Sequence, residues 1–230
     1  MKNLYNKRLF ENPIRCRIHL SRFHWLRKII KKLNIDYENV LEIGCHDAKS
    51  LVFLPFPPKE YLGLDADWEG GLEMAKFLYK GIEQYKFLKV KKLKDFTSIK
   101  KKYDLVICME TLEHLPPDEL EAYLLKISSL MNNYLFISIP NEIGLVFLLK
   151  FFVKKLFNLE PDNYKFIELI NQFIGRVEKV KRNHHKGFSW LKLVKILEKH
   201  FEIVKIEGIP FSFLPKCLNF GIGIILTNKN

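Results

Sequence analysis

Cysteine is scarce and scattered. The four residues Cys16, Cys45, Cys108 and Cys217 form no CxxC pair, which removes the usual zinc and dithiol motifs. Two of them sit inside apolar, strand-like runs, where a free thiol behaves as a small hydrophobe. A reduced, cytoplasmic protein is the expectation. No apolar run reaches the roughly eighteen residues of a membrane span. The opening "MKNLYNKRLFENP" carries charge but no apolar segment of the kind a secretory leader needs. Acidic residues are also in deficit: 26 of them face 38 Lys and Arg, for a net charge of +12. That balance suits an anionic partner (nucleic acid, a phosphorylated ligand or an acidic membrane face), and equally a solvated lysine-rich surface that needs none. Disorder is excluded, because 48% of the chain is hydrophobic and 19 residues are Phe. A length of 230 residues fits one domain with one sizeable core.

Short apolar runs recur at 39–45, 61–66, 87–92, 103–109 and 134–140, with helical patterns between them. All but the third read as buried strands of a parallel sheet. Between the last two, Asp118 is placed to cap a helix with Glu121 three residues on. Leu120, Leu124, Ile127 and Leu130/Met131 form its apolar stripe. Strands alternating with helices mean an α/β domain with right-handed crossovers. Near the end, Ser189 opens a helix with Trp190, Leu193, Val194, Leu197 and Phe201 on one face. Two strands follow with only "PFSFLPKCL" between them, too short a link for a helical crossover, so this pair is antiparallel. Two segments lie outside the alternation. Residues 21–33 read as a basic amphipathic helix, with Leu26, Ile29, Ile30 and Leu33 on the apolar face, within an N-terminal extension over 1–37. The connection 141–187 far exceeds ordinary loop length and reads as a functional insert.

A dinucleotide fold would show GxGxxG after its first strand, and that pattern is missing. In "VLEIGCHDA" a strand runs into Gly44, and about twenty residues later Asp65 ends the second strand. A glycine that lets backbone approach a ligand, and an acid that accepts ribose hydroxyls, make a nucleoside site. Glu42, two residues before the glycine, would repel a pyrophosphate and suits a cationic ligand.

On these residues the chain resembles the class I S-adenosylmethionine-dependent methyltransferases. "VLEIGC", "YLGLDAD", "LKDF" and "YDLVICMETLEHL" match that family's motifs in order and spacing. The resemblance is strong over about 38–140 and looser from 188 on. It implies a single domain over 1–230: a Rossmann-like, doubly wound, seven-stranded α/β sheet, mostly parallel, with an antiparallel C-terminal hairpin. It implies S-adenosyl-L-methionine as cofactor, with Glu42, Gly44 and Cys45 near the methionine part and Asp65 with Ala66 at the ribose. Asp95 and Phe96 then border the adenine, and Glu110 lies beside the cofactor. One departure stands out: His46, Asp47 and Ala48 occupy positions where the family has small residues, so His46 crowds the cofactor or demands an unusual turn.

Glu110, Glu113 and His114 follow the fourth strand, at the edge where open α/β folds bind ligands. If the segment turns helically, the three share one face. Two carboxylates and an imidazole suit a hard divalent metal, with His184 or His185 as a further ligand. Small-RNA 2′-O-methyltransferases and ubiquinone-pathway O-methyltransferases look similar here, and the RNA enzymes share the pair Pro140-Asn141. The same segment is widespread in metal-free methyltransferases, and no metal is the expectation. His114, His184 and His185 are the candidates for a catalytic base. The insert opens with an apolar helix, 143–157, interrupted only by Lys150, Lys154 and Lys155. It reads as a lid over a small-molecule or lipid-like acceptor, with peripheral contact to an anionic membrane, or as added core or a dimer contact. An oxygen nucleophile is favoured. RNA is the weaker alternative, because the aromatics cluster with aliphatics rather than with basic residues. A non-catalytic binding protein on this fold is the third.

Overall fold

The computed structural model describes residues 13–156, 163–183 and 185–229. Seven strands form one sheet in the order β3-β2-β1-β4-β5-β7-β6. They are β1 (Asn39–Ile43), β2 (Glu60–Asp65), β3 (Tyr85–Lys89), β4 (Tyr103–Met109), β5 (Met131–Pro140), β6 (Phe201–Ile209) and β7 (Gly221–Asn228). The first five run parallel, and β7 pairs antiparallel with both β5 and β6. The strand order turns back between β1 and β4, so a crevice opens there at the carboxyl ends. The third apolar run is a strand too. It forms the sheet edge, which is why only Phe87 of its five residues is buried.

One face of the sheet is covered by α5 (Pro117–Leu130) and α8 (Trp190–His200). On α5, Leu120, Tyr123, Leu124, Ile127 and Leu130 are buried at helical spacing. Its start differs from the expectation. Pro116 is the N-cap and Pro117 the first helical residue, so Asp118 sits inside the first turn without capping it. Proline fits there because its missing N–H would be unpaired in any case, and the acids Asp118 and Glu119 face the positive helix end. On α8, Trp190, Leu193, Val194 and Leu197 are buried after the N-cap Ser189, whereas Phe201 belongs to β6.

The other face carries α1 (Pro13–Lys32) and α3 (Gly71–Leu78), with the short α2 (Ser50–Phe53) beside them. Leu26, Ile29 and Ile30 of α1 are buried in this second core layer. Each such side chain contributes on the order of 1.5–3 kcal/mol relative to exposure. Trp25 tilts against Phe136 of β5 and donates to the Glu207 carboxylate of β6, which ties the N-terminal helix to the C-terminal hairpin. Leu33 was expected on the buried face; it lies just past the helix end and is exposed.

After β5, Asn141 donates to the carbonyls of Cys217 and Asn219, locking the strand end to the β6–β7 connection. The Pro140-Asn141 pair is thus engaged in the scaffold. α6 (Gly144–Leu156) and α7 (Phe166–Phe173) follow and pack on each other. Among the described residues no helix is long and apolar enough to cross a membrane.

Candidate functional site

A cavity of about 390 Å³ opens at the switch point between β1 and β4. Glu42, Gly44 and Cys45 reach it from β1 and the following turn, Asp65 and Ala66 from the end of β2, and Glu110, Thr111 and His114 from the segment after β4. Of the expected cofactor residues, only Asp95 and Phe96 do not line it.

The turn after β1 is shaped by close approach. Gly44 has φ of +75°, and a Cβ there would lie 2.0 Å from the Thr111 hydroxyl. No side chain fits. Thr111 in turn donates to the carbonyl of Met109, at 3.0 Å, stitching the β4 end in place. The chain then takes left-handed φ at His46 (46°) and Ala48 (54°), the unusual turn that His46 demanded. The His46 ring rests on Gly71, where a Cβ would meet its Cδ2 at 2.4 Å. A glycine at the start of α3 makes room for a histidine that replaces a small residue. The pairing is a contact across sequence, and the motif alone does not reveal it.

Asp65 is fixed by two backbone donors. The His46 N–H gives to Oδ2 at 2.9 Å and the Asp67 N–H to Oδ1 at 2.6 Å. A carboxylate oxygen has two lone pairs, so each can still accept a further hydrogen bond. Glu42 is 2% exposed and accepts hydrogen bonds from Ser50 and Tyr61. Burial pushes its carboxyl up to about 7, opposed in part by those two hydroxyls. Ser50 and Tyr61 escaped the sequence reading. Their signal is positional: Tyr61 pairs with Val40 beside Glu42, and Ser50 opens the helix after the glycine turn.

Asp95 instead accepts from the N–H groups of Lys91 and Lys92 and caps α4 (Leu93–Phe96). Phe96 is buried in the core, stacked on Tyr123 with ring centres 6.1 Å apart. The wall at this end is built by Val90, Lys91, Leu115 and Tyr123. Arg22 and Phe23 of α1 also line the cavity. None of the described residues of 141–187 does so, and the apolar helix α6 does not cover the opening as a wall residue.

The segment after β4 corrects the expectation of a shared face. Glu110 takes a left-handed φ of 51°, and only Leu112–His114 turn, as a 3₁₀ helix. The 3₁₀ turn gives the two side chains of Glu113 and His114 different exposures, although His114 Nε2 stays 3.9 Å from Glu113 Oε1. His114 faces the cavity with Glu110, while Glu113 is fully buried behind them. Neither Glu113 carboxylate oxygen has a hydrogen-bond partner among the described residues. Burial, and then the charge of Glu110, hold this carboxyl well above the usual range. His185 meets His114 edge to face, with ring centres 4.8 Å apart. Burial lowers the His185 pKa, the main cause, so the ring is neutral at neutral pH. Arg182 donates to the Glu113 carbonyl, which ties the segment after α7 to the cavity wall. His184 lies outside the described residues.

Glu113, His114 and His185 could together offer three ligand atoms to a metal, all within 4.8 Å of one another. The donor types suit a divalent ion.

No family model matches the chain, and no curated relative does. Solved structures do. A S-adenosylmethionine-dependent methyltransferase from Clostridium acetobutylicum superposes with a TM-score of 0.67 at 12% identity, over 99% of this chain and 100% of that one. Magnesium protoporphyrin IX methyltransferase from Synechocystis, with bound S-adenosylhomocysteine, gives 0.61 at 17% identity, covering 97% and 92%. The methyltransferase domain of bacterial CtHen1 gives 0.58 at 15%, covering 91% and 99%. The fold is that of S-adenosylmethionine-dependent methyltransferases.

Proposed function

We propose that this protein transfers the methyl group of S-adenosylmethionine to a small or lipid-like acceptor, with an oxygen nucleophile favoured. The carrying observation is the Asp65 carboxylate, held by the His46 and Asp67 N–H groups beside the bare α-carbon of Gly44. A fixed acid and an open backbone at the switch point suit a ribose and its chain. When bound, S-adenosylmethionine supplies an electrophilic methyl group on a sulfonium.

The protein's residues do the rest. Asp65 orients the ribose, and Glu42 offers negative charge to the cationic end. Tyr123, Leu115 and Lys91 replace Asp95 and Phe96 as the neighbours of the adenine, with Phe96 supporting Tyr123 from behind. His114 takes the acceptor's proton, with the His185 ring against it edge to face. Most of the rate comes from holding two reactants in line inside the crevice. Calorimetry with S-adenosylhomocysteine tests the first step, and mass spectrometry of co-purifying molecules tests the acceptor. Absence of binding at millimolar ligand would leave the fold as a non-catalytic binding module.

A second reading rests on the buried Glu113 carboxylate, which has no hydrogen-bond partner among the described residues and lies 3.9 Å from His114 Nε2. With a divalent ion on Glu113, His114 and His185, the acceptor would be an oxygen that a metal can acidify, such as a ribose 2′-hydroxyl. The net charge of +12 gives RNA some support as that acceptor. The metal-free reading is preferred, because Glu113 is fully buried behind the cavity while His114 alone of the three lines it. Activity is expected to survive EDTA, and Glu113→Gln, which keeps the shape of the side chain, should retain at least about a third of it. Loss under EDTA that Mg²⁺ or Mn²⁺ restores, together with an inactive Glu113→Gln, would install the metal reading instead.

A further inference from the structure

Helices α6 and α7 each leave an apolar stripe outside. On α6, Leu145, Leu149, Phe152, Val153 and Leu156 recur at helical spacing and are 41–77% exposed, while Val146 and Phe147 face inward. On α7 and its end, Phe166, Ile167, Ile170 and Ile174 are 40–79% exposed. The two helices are joined by inward aromatics, Phe147 meeting Tyr164 at 5.3 Å. Added core does not account for residues this open.

Among the described residues, the exposed charges around the stripes that lack an acidic partner in an ion pair are basic. Lys155, Lys165, Arg176, Lys179 and Lys181 are exposed, while the nearby acids Glu168 and Glu178 are matched by Lys186 and Lys192. Lys150, the lysine that most interrupts the apolar helix, turns inward. It donates to the carbonyls of Asn141 and Phe220 and to the Glu142 carboxylate. It therefore staples α6 to the sheet and leaves the stripe unbroken. An apolar face rimmed by cations would repel a second copy of itself and complements a surface that is oily beneath and anionic above.

We infer that the α6–α7 face docks into the interfacial layer of an anionic bilayer. At 13 and 8 residues the helices are too short to cross it, so they lie in its plane. The segment after α7 carries His185 against the cavity-lining His114 and Arg182 to the carbonyl of Glu113 behind it, so docking would set the cavity near the lipid. The inference deepens the methyl-transfer reading by naming where a lipid-like acceptor is met.

Flotation of the full chain with phosphatidylcholine vesicles, with and without phosphatidylglycerol, tests it. Binding is expected only to the anionic vesicles and should fall with salt. Lys155→Gln and Lys165→Gln should each weaken it roughly fivefold. Phe152→Asp with Leu156→Asp should abolish it, with S-adenosylhomocysteine binding unchanged as evidence of an intact fold. Failure of the wild type to float while it still binds S-adenosylhomocysteine would overturn the docking face alone. So would a concentration-dependent dimer that Phe152→Asp disperses, since a second copy would then be the occupant. Flotation without S-adenosylhomocysteine binding would keep the docking face and remove the methyl-transfer reading.

Discussion

Asp65→Ala is expected to weaken S-adenosylhomocysteine binding by about 1.5–3 kcal/mol, roughly 10- to 150-fold, the cost of losing charge-assisted hydrogen bonds. The carboxylate has two tasks, and the substitution removes both. It accepts from the N–H groups of His46 and Asp67, which sets the path of two ligand-facing turns, and its remaining lone pairs face the cavity. Asp65→Asn separates the tasks, since an amide oxygen can still accept one backbone N–H but carries no charge. An intermediate loss is expected there. Titration calorimetry gives the affinities, and thermal unfolding of the free proteins shows whether the turns have collapsed. Binding of Asp65→Ala within about twofold of wild type would place the ribose elsewhere.

What could be read from the sequence follows from how local each cause is. The strands were visible because a buried parallel strand needs a run of apolar residues, and "VLEI", "DLVICM" and "LFISIP" supply it. The antiparallel hairpin followed from a link too short for a helix. Gly44, Asp65 and Glu42 were legible because backbone freedom at a turn and an acid at a strand end are local demands. Asp95 and Phe96 were placed by likeness; in the structure one oxygen of the acid caps its own helix, the ring packs against Tyr123, and neither lines the cavity. Glu110, Glu113 and His114 were grouped by helical spacing. A left-handed residue followed by a 3₁₀ turn sends Glu113 inward, and nothing in the spacing reports that. The His46–Gly71 contact and the inward turn of Lys150 join residues from different elements, so only the packed chain displays them.

Glu42 should make the protein less stable as pH rises from about 4.5 to about 7. Its carboxyl is raised in the folded state from 4.5 to about 7, burial being the main cause. Above pH 4.5 the unfolded chain releases this proton while the folded chain keeps it. The unfolded state then binds fewer protons, and stability falls with pH until the folded carboxyl also ionises. At 1.36 kcal/mol per pH unit, the loss over that window is about 3 kcal/mol. Other buried acids, Glu113 among them, add to the slope, so the difference between wild type and Glu42→Gln is the quantity to measure. Glutamine does not titrate, and its oxygen can still accept from Ser50 and Tyr61. In urea unfolding at a series of pH values, Glu42→Gln should gain about 3 kcal/mol on wild type between pH 4.5 and 7.5 and little beyond. A difference that stays flat across the window would mean that Glu42 is ionised in the folded protein throughout. The same carboxyl should report on the ligand. A cation beside it favours the charged form, so binding of S-adenosylmethionine near pH 7 should release up to about half a proton from wild type and none from Glu42→Gln. Calorimetry in two buffers of different ionisation enthalpy reads that release directly. Equal release from both proteins would place the cationic end of the ligand away from Glu42.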